Sequence, residues 1–435
     1  MLLAHGVGTR ADLPLPPMLA VVGGGLVLMI SFAVLAVSWR RPRFAGGNGG
    51  QPVPATLQRV LDARALRVVL QGLTLAAMVM VCVIGLAGPQ VTERNLAPWV
   101  FYIIFWVGLV PASLLCGSVW RVLNPLRLVH TVLAAVLRLD RARGLVDLPE
   151  RIGYWPAAVS IIVFAWMELV YPRGSESATV AVFVLSYAVV HTVAALLVGR
   201  RWFERGDGFE VYSALLGAMA PIGRRTDGKL VLRNPFEGLD AIRGAPGLVS
   251  VVVALVGSTA YDGLSHTSWW NWNVPTGTVN ATIELLCTVL LIALIYLLGT
   301  WSLVGPAKQQ DGSRSAAAFA HSIVPIAAGY AIAHYFSALF FEGQQAFILS
   351  SDPFGKGWNL FGTAGSVIDY TIVAIPTIAL VQIFGIVTGH LTAAVCAHER
   401  AVQLFPPRAA RSVQYPLLVA MVGLTMGAVG LVFAG

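Results

Sequence analysis

The run AAAFAHSIVPIAAGYAIAHYFSALFFE, residues 316–342, decides how this chain is read. It exceeds the roughly 20 apolar residues that a membrane-spanning helix needs, yet it carries His321, Tyr330, His334 and Glu342. A polar, glycine- and aromatic-rich segment follows, SDPFGKGWNLFG over residues 351–362. A second apolar run over 367–397 then carries Asp369, Gln382 and His390, with His398 just beyond it. Two spans joined by such a loop hold half of the chain's eight histidines. The rest of the chain sets which side of a membrane each of these groups faces.

Composition extends that reading outward. The chain has 435 residues, 57% of them hydrophobic and only 11% charged, with a mean hydropathy of +0.75, against about 25% charged for a soluble domain. Ten candidate spans follow, at 17–38, 68–88, 97–118, 153–171, 178–198, 246–262, 281–303, 316–342, 367–397 and 414–434. The loops after the odd-numbered spans hold 25 of the 29 Lys and Arg residues, leaving Arg10, Arg94, Arg173 and Lys356 for the other side. The positive-inside rule then puts the basic loops in the cytoplasm and both termini outside. The expectation is an all-α, polytopic integral membrane protein, one transmembrane domain over 1–435 with a loop element at 199–245, its basic loops on the cytoplasmic side. The net charge of +8 is explained by the loops, so nucleic acid is not expected as a partner and the lipid bilayer is. The four cysteines and eight histidines form no CxxC, HxH or HExxH motif, and the cysteines read as buried small hydrophobes.

The connections carry local signals. The Gly/Pro-rich loop 40–67 reads as a flexible linker near anionic headgroups. Asn124-Pro125 is a turn signal ahead of an interfacial helix over 126–139. Residues 209–219 read as an amphipathic helix, and 224–233 as a hairpin turning at Asp227-Gly228. Asn234-Pro235 echoes the earlier turn, and no other internal repeat is visible, so an inverted-repeat transporter is not indicated. Met1-Leu2-Leu3-Ala4-His5 reads either as a polar lead-in or as the tail of a signal peptide. Cleavage after Ala4 would make His5 an amino-terminal copper chelator.

Ionisable groups inside a membrane are costly and point to function. His321 and His334 are 13 residues apart, about 20 Å along one helix, too far to share a ligand. Depth therefore predicts two groups. His191, His321 and His390 fall at similar inner depth and are candidates for a metal, a haem or a proton path. His334, Glu342, Asp369, Asp262, His266 and Glu168 fall toward the outside, with His5 a further candidate. Asp262 and His266 share a face if their helix continues past Gly263. His334, Asp262 and Glu342 are the candidate acid/base groups, and His334, Asp262, His266 and Asp369 the candidate ligands of a divalent metal. Each histidine can equally be read as a hydrogen-bond partner of a neighbouring helix, and each carboxylate as a group reaching water at a helix end. Pro325 and Pro376 predict kinks, and Ser322, Gly329 and Ala333 predict close helix approach.

Several patterns carry a resemblance: Ala4-His5-Gly6 with Arg10-Ala11-Asp12-Leu13-Pro14; Trp120-Arg121, Asn124-Pro125 and Arg127; Tyr261-Asp262-Gly263 with Thr267-Ser268-Trp269-Trp270; Ala333-His334-Tyr335-Phe336-Ser337; and Ser351-Asp352-Pro353-Phe354-Gly355 with Gly357-Trp358. Together they resemble a family of bacterial, often actinobacterial, polytopic membrane proteins that frequently carry the label "fenitrothion hydrolase". The resemblance implies organophosphate ester hydrolysis and a small-molecule substrate. It assigns no catalytic residue, and the chain has no GxSxG elbow. Three functions are therefore expected as alternatives: a membrane-embedded enzyme or metal- or haem-handling protein; a solute or ion transporter using the same groups; and a structural or assembly subunit of a membrane complex.

Overall fold

A computed structural model describes residues 16–44, 46–301 and 315–434. His5 lies outside the described residues. Among the described residues, nine helices are long and apolar enough to cross a membrane, and a tenth apolar helix is shorter. In chain order they are α1 (Pro17–Ser38), α2 (Arg64–Ala87), α3 (Leu96–Cys116), the short α4 (Trp155–Leu169), α5 (Ser177–Val198), α6 (Leu248–Ser265), α7 (Thr278–Trp301), α8 (Ala316–Ser350), α9 (Ile375–Leu404) and α10 (Ala409–Phe433). The chain is a polytopic all-α membrane protein. Each of the ten expected spans coincides with one of these helices over most of its length, but α4 has 15 residues, about 22 Å at 1.5 Å per residue, short of the usual hydrocarbon thickness.

The described chain divides into two compact units. Among the described residues, the first comprises those within 52–217 and 337–373, and the second those within 16–51, 218–336 and 374–434. In the first unit, α2 meets α5 where Gly85 leaves room: a Cβ there would lie 2.7 Å from the Ser177 carbonyl oxygen. Part of α3, Trp99–Val107, winds as a wider π-helix, and its Phe101 and Trp106 pack with Phe164 of α4 and with Phe209. The Asn124 side chain accepts from Leu126 N–H and caps helix Pro125–Val136, as the Asn-Pro signal predicts.

The sequence is misleading at three places in this unit. Loop 40–67 is not simply a linker, because Ala55–Asp62 within it is helical. Helix Gly208–Gly217 is not amphipathic but buried along nearly its whole length, because its polar Glu210 finds the half-buried Arg127. Residues 367–374 continue an irregular segment rather than starting a span, because Pro376 stands in the first turn of α9, where a proline's missing N–H costs nothing. Pro376 thus begins a helix and does not kink one.

In the second unit, small residues set the spacing of the helices. A Cβ on Gly257 of α6 would lie 2.7 Å from Cα of Val289 on α7. Gly385 and Gly389 form a GxxxG pair on α9 against α8. A Cβ on Gly329 would meet the Gly385 carbonyl oxygen at 2.3 Å, and one on Gly389 the Pro325 carbonyl oxygen at 2.6 Å. Lipid offers helices no hydrophobic incentive to associate, so such close backbone packing is what binds them. The expected close approach at Gly329 is present. Pro325 follows a 3-10 turn over Ala320–Ile323, which spares α8 a clash with the preceding carbonyl. The expected hairpin is present too, with Ile222–Arg224 antiparallel to Leu230–Leu232 and Gly228 at φ +82°.

Candidate functional site

The second unit brings three of the predicted residues together. Helix α6 does not stop at Gly263 but runs to Ser265, which puts Asp262 and His266 one turn apart on one face. His334 approaches from α8: its Nε2 lies 2.6 Å from Asp262 Oδ2. Carboxylate oxygens are acceptors, so this contact holds a proton, on the imidazole or on the carboxyl. His266 Nδ1 lies 2.7 Å from the Asp262 backbone carbonyl, and therefore carries its hydrogen there. The same nitrogen is 3.4 Å from Asp262 Oδ1. Asp262 is thus flanked by two imidazoles. Burial grades across them: the His266 side chain is 30% exposed, His334 5% and Asp262 1%.

Tyr330, which the 316–342 run carries one turn before His334, completes the wall of this site. Its ring stacks near the His334 imidazole, with centroids 6.1 Å apart and an interplanar angle of 21°. Its hydroxyl reaches across to α6 and stands 2.4 Å from where a Cβ on Gly263 would be. Glycine is required here by close approach, not by backbone conformation. Around the site, Trp270 packs edge-on against Tyr261 and donates its indole N–H to Glu284 Oε2 at 3.3 Å. Elsewhere on the same helices, an apolar cavity is lined by Val253, Val256, Ile292, Tyr296, Ile326 and Met421, among others.

The remaining predicted residues are placed otherwise. Asp369 lies before α9, in the irregular segment, and not on the helix as the hydropathy suggests. Its Oδ1 accepts from Thr371 N–H at 2.8 Å and Thr371 Oγ1 at 2.6 Å, and its backbone exchanges hydrogen bonds with the Gln344 side-chain amide. The Thr371 hydroxyl and N–H hold the Asp369 carboxyl below the usual carboxylate range. Glu342 and Asp369 both belong to the first unit, where burial and then the Glu342 charge push the Tyr370 hydroxyl up. The loop is well braced: Ser351 Oγ meets Thr363 Oγ1 at 2.6 Å, and Asp352 accepts from Lys356 N–H and Gly357 N–H, each at 2.8 Å.

Of the inner histidines, His191 belongs to the first unit, and His321 and His390 to the second. His191 Nδ1 accepts from the Trp202 indole N–H at 3.0 Å, and its Nε2 lies 3.4 Å from Ser160 Oγ. Both ring nitrogens are engaged, as in a histidine that serves packing. His321 Nδ1 lies 3.1 Å from the Ala318 carbonyl and His390 Nδ1 2.9 Å from the Ile386 carbonyl. Among the described residues, no group of three or more His, Cys, Asp or Glu side chains converges as a metal ion's ligands would. All four cysteines are free thiols; Cys82 and Cys396 are buried as expected, but Cys116 and Cys287 are exposed.

One cluster escaped the sequence reading. In the first unit, Arg127 pairs with Glu210 through both carboxylate oxygens, its Nε donating to Oε2 at 2.8 Å. Asn124 Nδ2 donates to Asp207 Oδ2 at 2.8 Å and to Glu210 Oε2 at 3.0 Å, and Tyr187 donates to Asp207 Oδ1 at 2.6 Å. Burial pushes the Asp207 carboxyl up, against the pull of these donors and of Arg127. No family model, curated protein or solved structure matches the chain.

Proposed function

We propose that this membrane protein works by reversible protonation of the Asp262–His334 pair, and that it couples this proton to movement of a solute across the bilayer. The observation that carries the reading is the 2.6 Å contact between two side chains that are almost fully buried. A lone carboxylate at such a site is expensive, and one shared proton neutralises the pair at little structural cost. His266 supplies the entry. Half-exposed and hydrogen-bonded to the Asp262 backbone, it can take a proton from water and pass it to Oδ1, 3.4 Å away. The distribution of basic residues supports an outward-facing mouth for this path. The chain lacks the internal repeat of inverted-repeat transporters, and coupling through one charged pair does not depend on that symmetry.

The resemblance to proteins labelled as organophosphate hydrolases favours a second reading. There His334, held by Asp262, would act as the general base toward water. One experiment separates the two. Purified protein is placed in liposomes with a trapped pH-sensitive dye, and a potassium gradient with valinomycin sets the membrane potential. Protein-dependent proton flux that is lost in Asp262→Asn and His334→Ala supports the first reading. Flux equal to that of empty liposomes, both without added solute and with amino acids, sugars and organic cations offered in turn outside, overturns it. Hydrolysis of an organophosphate ester, lost in both variants and without proton flux, replaces it with the second.

A further inference from the structure

One exposed apolar stripe lies outside the spans. Helix Ala55–Asp62 carries Leu57, Val60 and Leu61, which are 46%, 59% and 43% exposed. Spacings of three and four residues put them on one face. The polar side is bridged by Gln58 Nε2 donating to Asp62 Oδ2 at 3.3 Å. No residue of the helix is buried. Ala63, at φ −59° and ψ 126°, then breaks the helix, and α2 begins at Arg64. Arg59, Arg64 and Arg67 are all exposed, and Asp62 is the one acidic residue over positions 55–67.

We propose that Ala55–Asp62 is a surface helix that lies in the bilayer interface ahead of α2 and binds anionic phospholipid headgroups. Leu57, Val60 and Leu61 enter the boundary of the acyl region, and Arg59, Arg64 and Arg67 meet the headgroup charge. Attachment to a membrane span through the single residue Ala63 holds the helix at the level of the bilayer surface. An apolar stripe flanked by arginines suits that position. The excess of cations selects anionic over zwitterionic lipid, since each Arg near an anionic surface adds favourable energy that salt screens.

Hydrogen exchange on the full-length protein in nanodiscs tests this. One set contains phosphatidylcholine alone and the other phosphatidylcholine with one third phosphatidylglycerol. Amides of Ala55–Asp62 should exchange several-fold more slowly with phosphatidylglycerol, and high salt should reduce the difference. Replacing the three arginines (R59Q/R64Q/R67Q) should erase the difference, whereas L57D/V60D should speed exchange in both lipids. Equal wild-type exchange in the two lipids overturns the proposal. So does equal slowing by inorganic phosphate in phosphatidylcholine discs, which would mark a site for a soluble anion. The wild-type comparison decides even if a variant fails to fold, and protection along α2 reports that folding.

Discussion

Two buried carboxylate sites, one in each unit, differ in the chemistry of the side chains that meet them. In the first unit, Glu210 and Asp207 receive hydrogen bonds from Arg127, Asn124, Tyr187 and the backbone N–H groups of Phe209 and Glu210. Arg127 matches the Glu210 charge, and each of the four carboxylate oxygens accepts at least one hydrogen bond, as stability demands. In the second, Asp262 is as deeply buried and is flanked by the imidazoles of His334 and His266, side chains of the type that proteins use to carry protons. The first arrangement, held by a fixed guanidinium and by amide and hydroxyl donors, suits a brace. The second, a carboxylate against imidazoles, suits the proton exchange we propose.

The comparison is broken most forcefully at Arg127. Arg127→Ala leaves Glu210 charged, buried and unpaired, which costs about 3–5 kcal/mol. We expect thermal unfolding in detergent to move down sharply, with Arg127→Lys losing less, since lysine keeps the charge though not the two-pronged contact. A small shift would mean that the network is not a brace. Asp262→Asn should do the reverse. It keeps the shape and removes the ionisable group, so unfolding should change by no more than about 1–2 kcal/mol, while proton movement falls at least about tenfold, equivalent to a barrier rise of about 1.4 kcal/mol. If Asp262→Asn melts the protein as Arg127→Ala does, both sites are structural and the distinction fails.

How far the sequence foretold this contrast depended on sequence distance. The spans were legible because about 20 apolar residues leave a signal in composition alone. The Asp262–His266 pair was legible from its four-residue spacing, and the grouping of Asp262 with His334 from their depth in the membrane. Arg127 and Glu210 are 83 residues apart, and neither residue carries a local mark of the other. Asp369 was misplaced because Val367–Ala374 is apolar enough to read as helix, whereas the local hydrogen bonds of Asp369 to Thr371 and Gln344 hold it in a turn. The Tyr330–Gly263 contact was hidden because a glycine signals only the absence of a side chain, not what fills the space.

That contact sharpens the comparison at intermediate cost. Gly263→Ala would set a methyl group 2.4 Å from the Tyr330 hydroxyl, and overpacking of this kind costs about 1–3 kcal/mol. Tyr330→Phe removes the oxygen and should relieve it. The double variant should then be more stable than the sum of the single effects, a coupling that unfolding of all four proteins measures. Additive effects would show that the hydroxyl does not rest on Gly263.

The smallest effect should come from the exposed Asp369, whose carboxylate serves only its own turn. The Thr371 hydroxyl and N–H lower its folded-state pKa, so the ionised form is the one the fold favours. Its contribution is complete above the ordinary aspartate pKa of about 3.9 and is lost as pH falls through the depressed folded value. Near neutral pH, Asp369→Asn should leave proton movement unchanged and only speed hydrogen exchange at Thr371. A carboxylate that ligated a functional ion with Asp262 would behave differently, and its loss would abolish activity. Proton flux that survives Asp369→Asn but not Asp262→Asn therefore confines the function to the pair that α6 and α8 share.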